Sequence, residues 1–437
     1  MLFNLIFVII FILISVKCDT TEPPLPKASL TLTLEDVSCT EAWIMLKLSE
    51  IPLPATVTLY KNSVAQNSIL CYGDTLLYVD SLLPKQTYKF QSFIQSIPPE
   101  AGRQSILSNE LSVTTMDTTS HNFTWQTFTF GEHSSSALYD VAIINENNIW
   151  AVGEIYMKDS LGRPDPNAYN ALHWDGTEWK LKRIMFYTFC PQGTGSGSYP
   201  ATSIFALDNE NIVIGSGSQV AYLKNGVQIK KECIPASVNK LWGSSSNDLY
   251  AVGNWGNIAH YQNGVWTKIE SGTDLQFTDI YGAVNSITGK QEVLAVCTRN
   301  YPLGKAIYLI EGNTAKQISS TPIQWELFAC WFVPNRRYYV IGDGIYEKKN
   351  LSDSTWKNGP LDITRYATTG IRGDDINNIF VSGAFGEFLH FNGVSWKSYL
   401  NQLGKFSGSY GGLSLKGNIV ATVGYEGRKA KVLIGKK

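Results

Sequence analysis

The sequence predicts an all-β protein in two parts: a small antiparallel sandwich, followed by a ring of short four-stranded repeats. Three observations carry this. Aromatic residues make up 12% of the 437 residues and charged ones only 17%, the balance of a chain with well-buried strands rather than a disordered one. A frame of fixed spacing recurs: Asn247-Asp248 leads into Leu249-Tyr250-Ala251-Val252, Gly253 ends that strand, His260 follows seven residues later and Trp266 six after that. Asn377-Asn378, Gly383, His390 and Trp396 keep the same spacings, while Asn147-Asn148, Gly153, His173 and Trp179 keep the His-to-Trp step with thirteen extra residues inserted after the glycine. Thirdly, residues 28–116 lack this frame and alternate apolar with polar positions instead.

Residues 1–17 open the chain. Leu2 to Ile14 is apolar except for Asn4, the length of an export-signal core and well short of the roughly 20 helical residues that span a bilayer. Cys18 follows, and then Asp19-Thr20-Thr21-Glu22-Pro23-Pro24-Leu25-Pro26, a polar, proline-containing linker over 18–27. This arrangement resembles a bacterial lipoprotein, which implies lipidation of Cys18, an anchor whose buried methylenes contribute about 0.8 kcal/mol each, and display at the cell surface or outer membrane. Two features depart from that pattern: no Lys or Arg precedes the apolar run, and Lys17 stands where the family places a small residue. Ordinary secretion with cleavage nearby is the alternative.

Within 28–116, Ile44, Leu46 and Leu48 alternate along one strand, Thr56 to Tyr60 is β-branched and aromatic, and Pro52-Leu53-Pro54 and Lys61-Asn62 mark turns. Leu83-Pro84-Lys85-Gln86-Thr87-Tyr88-Lys89-Phe90 resembles the corner between two strands of a fibronectin type III domain, with Tyr88 as the corner tyrosine, and Ser108 to Thr115 resembles that family's last strand. The resemblance places Leu48 at the usual core-tryptophan position and sends Trp43 elsewhere. It implies a spacer.

From 117 to 437 the repeats take over. Units begin near Leu138, Thr202, Val238, Phe277, Gln324, Tyr366 and Tyr410, mostly about forty residues apart, which is room for four short strands each. A single such sheet exposes an apolar face that its neighbours must cover, so radial stacking into a seven-bladed β-propeller is the expected architecture. The last unit has sequence for three strands only. Phe123 to Phe128, a strand with no unit of its own, is expected to complete it.

Residues of chemical type mostly have structural explanations. His173, His260 and His390 occupy one repeat position, so they lie in separate blades and cannot converge on a metal. Trp179, Trp266 and Trp396 each bring about 150–250 Å² of surface to bury. Trp174-Asp175-Gly176-Thr177-Glu178-Trp179 resembles the Asp-box of sialidase propellers but lacks its leading serine, and no arginine cluster accompanies it. Besides Cys18 there are six cysteines; Cys190 and Cys233 are the pair expected to bridge, and Cys297 and Cys330 are expected as small buried residues. No CxxC, HExxH, GxSxG or P-loop pattern occurs and no cofactor is expected. A formal charge of −1 provides no basic field for nucleic acid.

The expected function is therefore non-catalytic binding or scaffolding at the cell surface, with the membrane reached only through a lipid anchor. The alternative is a propeller enzyme acting on glycans, for which Asp159, Asp165 and Asp175 are the candidate carboxylates. The expected binding surface lies on the long excursions, 154–170 and 185–200 in the first unit and 298–305 in the fourth. There Tyr169, Tyr187, Tyr199 and Tyr301 supply stacking faces, and Arg163 and Arg299 supply forked donors for a protein or glycan.

Overall fold

The computed structural model describes residues 28–94, 105–191, 195–286, 288–299, 302–360 and 362–437. The export segment, Cys18 and Tyr301 lie outside them. The chain forms two compact units, one of residues up to Asp36 with Ala42–Val79 and Thr87–Thr114, the other of Val37–Glu41, Asp80–Gln86 and Thr115–Lys437.

In the first unit, Ser29–Val37, Ala42–Ser49 and Thr75–Val79 make one sheet; Val64–Cys71, Ala55–Lys61 and Thr87–Ile94, with Ile106–Leu107 and Leu111–Thr114 on the last of these, make the other. Strand alternation puts Ala55, Val57 and Leu59 inside, as it does Ile44 and Leu46. The expectation for Leu48 and Trp43 is corrected here. Leu48, one residue from the end of its strand, is only half-buried, whereas Trp43, one residue from the other end and opposite Tyr78, is 4% exposed with the two rings 5.8 Å apart.

Among the described residues the second unit has a small two-stranded pairing of Phe186–Tyr187 and Ser196–Gly197 and a short helix, Leu400–Leu403, besides the seven four-stranded sheets on which it is built. Their strands, from inner to outer, are Ala137–Asn145, Asn148–Ile155, Tyr169–Trp174 and Trp179–Lys182 in the first, and Ser203–Ala206, Asn211–Ser216, Gln219–Lys224 and Val227–Cys233 in the second. The third has Lys240–Ser245, Asp248–Val252, Asn257–Gln262 and Val265–Glu270; the fourth Gln276–Val284, Gln291–Arg299, Gly304–Glu311 and Thr314–Ile318. The fifth has Leu327–Val333, Arg337–Gly342, Gly344–Lys348 and Lys357–Asn358; the sixth Thr368–Asp375, Asn378–Gly383, Phe388–Phe391 and Trp396–Ser398. The seventh takes Gly408–Lys416, Ile419–Glu426 and Lys429–Lys436 from the end of the chain and its outer strand, Thr124–Phe130, from the start of the unit, with Gly435 opposite Trp125. Each inner strand neighbours the inner strand of the next sheet, and that of the seventh neighbours that of the first, so the ring is closed.

The core is correspondingly divided, with one apolar cluster between each pair of consecutive sheets. Ile143, Ala151 and Leu172 meet Val423 and Val432 where the first sheet meets the seventh, and Trp331, Ile341 and Ile345 meet Ile371, Ile379 and Leu389 between the fifth and sixth. Antiparallel order fixes the ends of the ring. The turns between second and third strands, and the connectors from one sheet to the next, share the end at which inner strands begin; the other two sets of turns share the opposite end.

The recurring frame has a local cause. His173, His260 and His390 lie directly across from Trp150, Tyr250 and Phe380, their rings stacked at 4.4, 4.1 and 4.3 Å. Each imidazole Nε2 is hydrogen-bonded to the residue that starts the second strand: Asn148 at 3.0 Å, Asp248 at 2.7 Å and Asn378 at 3.0 Å. The frame glycine is demanded by the neighbouring strand, since a Cβ at Gly153 or Gly253 would stand 2.1 Å from the carbonyl oxygen of Ala137 or Ser237.

Two predictions follow from closure and from these histidines. Deleting 123–130 removes the strand that joins the two ends of the ring, and calorimetry is expected to show the whole second unit melting lower in one transition; an unchanged main transition would refute it. At His390, burial, then the charges of His121, Lys437 and Lys397, push the imidazole down to about 3. The unfolded chain therefore takes up this proton first, so the stability is complete above about pH 6.5 and is lost as pH falls toward about 3. Melting temperature is expected to fall across that window, and less steeply in His390→Gln; equal slopes would remove His390 as a cause.

Candidate functional site

The two long excursions of the first sheet lie at the end where inner strands begin, and they brace each other. Asn170 donates from Nδ2 to the carbonyls of Ile184 and Tyr199, both at 2.8 Å, and accepts from the Ile184 amide at 2.7 Å, while the Ser198 hydroxyl donates to the Ala168 carbonyl at 2.6 Å. Gln228 clamps the backbone of Met185, and Gln219 that of Tyr187. A disulfide joins Cys190 to Cys233, with Cα atoms 5.7 Å apart, tying the connector to the outer strand of the second sheet. These loops are built surfaces.

The residues expected to bind ligand are distributed as follows. Tyr169 and Tyr199 are drawn together through Asn170, and Tyr187 belongs to the same connector. The Arg183 guanidinium already lies 3.8 Å from the Tyr169 ring centroid, and the Lys231 ammonium 4.2 Å from that of Tyr187. Arg163 is engaged by Asp159, and Arg299 by Asp274 at 2.6 Å and by the Pro302 carbonyl. Arg299 belongs to the fourth sheet, which does not adjoin the first that carries Arg163 and Tyr169, and Tyr301 lies outside the described residues. The forked donors are occupied by neighbouring carboxylates.

At the centre of the ring the inner strands surround two cavities, of about 190 and 260 Å³, that share Lys240 and Arg372 as lining residues. A layer of ion pairs separates them. Asp140 in the first sheet accepts from the Ile204 amide of the second at 3.0 Å and from Lys240 of the third at 2.6 Å. Asp279 in the fourth accepts from the Cys330 amide of the fifth at 3.0 Å and from Arg372 of the sixth through two bonds of 2.7 and 2.9 Å. Each carboxylate thus ties three consecutive sheets. The seventh contributes Gly412, where a Cβ would stand 2.5 Å from the Asp140 Cα. This layer escaped the sequence reading, although its signal was present: Tyr139-Asp140-Val141 and Thr278-Asp279-Ile280 fall at one frame position, three units apart.

The mouth of the smaller cavity opens at the loop-bearing end. Tyr139 stands there and donates to Glu154 at 2.6 Å, at the start of the first excursion; burial and that hydrogen bond raise its phenol pKa. Around it the same end carries the unit's exposed aromatic side chains among the described residues: Phe189, Tyr199, Trp255, Trp325, Phe385 and Tyr425. The opposite end exposes valines instead, Val227, Val265, Val284 and Val394. Trp255 is 78% exposed, with a backbone φ of 58°, and Phe385 has φ 59° at the matching turn of the sixth sheet. For a bulky L-residue the left-handed region costs about 1–2 kcal/mol, and a side chain so exposed recovers little of it by burial.

No protein-family model matches the chain, and no curated protein does. Solved structures do. The ring of four-stranded sheets is a β-propeller, and the similar structures are β-propeller proteins. One is YCF48 bound to D1 peptide, with 15% identity over 71% of this chain and 94% of that one and a TM-score of 0.51. Another is YCF48 from Cyanidioschyzon merolae, with 14% identity over 71% and 98% and a TM-score of 0.50. Likeness at this identity establishes the fold alone.

The ion-pair layer makes a further prediction. Arg372→Met leaves Asp279 charged and buried without its partner and is expected to destabilise the second unit by about 3–5 kcal/mol in urea unfolding. Asp279→Leu combined with Arg372→Met is expected to recover most of that loss. A double variant no more stable than the single one would show that the pair does not act as a unit.

Proposed function

We propose that this is a non-catalytic binding protein: a seven-bladed β-propeller whose loop-bearing face takes a protein or glycan partner, preceded by a fibronectin type III-like spacer. The observation that carries the reading is the segregation of exposed aromatic side chains to the end where the long loops emerge, because exposed rings held on a rigid scaffold favour binding. The closed cycle of seven sheets supports the blade count, and the two-sheet pairing of the first unit supports the spacer. YCF48, a propeller of similar fold, binds a peptide, which makes a peptide-sized partner reasonable here. The apolar run 2–14 and Cys18 support export and a lipid anchor. Among the described residues no helix is long and apolar enough to cross a membrane.

The rival reading, a glycan-cleaving enzyme, is disfavoured by the state of its candidate carboxylates. Asp159 and Asp165 are held below the ordinary range by backbone amides first, of Arg163 and Asn167, and Asp175 by Lys180 first. A general acid needs the opposite shift.

The test is a parallel screen of the full chain against a glycan array and a displayed random-peptide library, repeated with residues 158–166 replaced by a Gly-Ser linker. Saturable ligands that are retained without turnover support the proposal; no ligand from either screen, or hydrolysis of a bound glycan, would overturn it. Cys18→Ser is expected to move the protein out of the membrane fraction with its melting temperature unchanged, and retention after high-salt washing would refute the anchor.

A further inference from the structure

The larger of the two central cavities owes its space to an imbalance among the inner strands. In every sheet one inner-strand residue pairs with the second-strand residue three places before the frame glycine, or before Cys297 where that takes the glycine's place. The third, fourth and fifth sheets put Trp242, Tyr281 and Trp331 there, and the sixth puts Arg372. The seventh, first and second put Ser414, Ala142 and Ala206. Three consecutive sheets with small side chains thus lie across the ring from three with large rings, and the volume absent from the small side is left open as a cavity of about 260 Å³. The aromatic side is held in place. A Cβ at Gly282 or Gly373 of the following sheet would stand 2.4 Å from the Trp242 ring or 2.7 Å from the Trp331 ring, and Tyr281 meets Phe332 edge-on at 5.3 Å.

The floor of this cavity is the ion-pair layer. Lys240 and Arg372 are the charged side chains that line it, and Asp140 and Asp279 neutralise them at 2.6 and 2.7 Å. Arg372 turns both terminal nitrogens to Asp279, and one of them also to the carbonyls of Cys330 and Ile371. Among the described residues the Lys240 ammonium has one acceptor, Asp140, for its three hydrogens. The floor therefore offers a hydrogen-bond donor without net charge. An anion placed there would meet the two carboxylates as well as the cations, and a cation the reverse. The walls, with Ile143, Phe205 and Leu415 beside Tyr281, penalise either charge. The space falls just below the range of about 300–1,000 Å³ for pockets that take drug-sized ligands, so it suits a single ring with a short substituent.

We propose that this cavity, on the side of the ring away from the long loops, is a binding site for a small uncharged molecule with a ring-sized apolar body and one hydrogen-bond acceptor. The body lies between Tyr281 and the wall of Ala142, Ala206 and Ser414, and the acceptor takes a hydrogen from Lys240. The ion-pair layer separates this site from the loop-bearing face, so it is independent of any partner bound there.

The test titrates three probes onto the full chain by saturation-transfer NMR: acetophenone, which has this chemistry; α-methylstyrene, which has the same shape without the acceptor; and benzoate, which carries a charge. Each is repeated on Ala206→Phe, which builds a ring into the cavity from its small side at a residue that is only partly buried. Saturable binding of acetophenone is expected, with the other two probes weaker by about tenfold, the worth of one hydrogen bond to a charged group. In A206F acetophenone binding is expected to be lost at unchanged melting temperature. Should A206F melt lower, the smaller Ala206→Leu is expected to weaken acetophenone by about tenfold, the same loss in free energy. Acetophenone binding indifferent to both variants would overturn the site. Benzoate or α-methylstyrene bound as tightly as acetophenone would overturn the ligand class, and no binding of acetophenone to the wild-type chain would overturn both.

Discussion

Ring closure is the constraint on which the second unit depends. Each four-stranded sheet has two apolar faces, and each core cluster exists only because the next sheet in sequence covers it. A linear stack would leave two faces wet. Pairing of Lys429–Lys436 with Thr124–Phe130 removes that problem by building the last sheet from both ends of the unit. At this joint Trp125 packs against Phe388 and Tyr399 of the sixth sheet, so the closing strand is held by side chains as well as by its ladder. Hydrophobic burial proportional to area then rewards only the complete cycle.

Given closure, the centre of the ring poses a separate difficulty. Seven inner strands converge, and the space between them is narrow and bordered by backbone. Buried carboxylates at Asp140 and Asp279 meet it by accepting a backbone amide from the next sheet and a cation from the one beyond. The desolvation of such charges is large, and bidentate geometry between Arg372 and Asp279 is what offsets it. The pairs fix the sheets at a set rotation, and Gly412 admits the remaining one close to Asp140. With its middle closed in this way, the unit presents surfaces at its two ends, and among the described residues the exposed aromatic rings sit at the end that carries the long excursions of the first sheet.

That end shows how binding surfaces and folding requirements separate. The frame residues, the stacked His260 and Tyr250 among them, satisfy strand ends and turns inside each sheet and are buried. Trp255 and Phe385 do the reverse: they occupy backbone positions suited to Asn or Gly and keep their rings in solvent or against a neighbouring ring. The loops of the first sheet differ again. Their arginines and tyrosines pair among themselves, so much of the polar chemistry that the sequence suggests there holds the loops in shape.

What the sequence by itself determined is whatever depends on local spacing. Period and frame set the four-strand unit, the alternation of Ala55, Val57 and Leu59 set a half-buried strand, and an orphan strand before an incomplete last unit implied the pairing at the seventh sheet. The one-residue-in-two pattern along Ala42–Ser49 places Trp43 and Leu48 on opposite faces but could not say how deeply either is covered, because burial near a strand end depends on what lies across and over the sheet. Tertiary structure alone decided which charges meet. Asp140 and Lys240 are a hundred residues apart, Asp279 and Arg372 ninety-three, and only the curvature of the ring brings them within hydrogen-bond reach. It also decided that Arg163 and Arg299 meet carboxylates of their own loops and sheets, since a side chain's free valence depends on its neighbours in space and is invisible in its position along the chain.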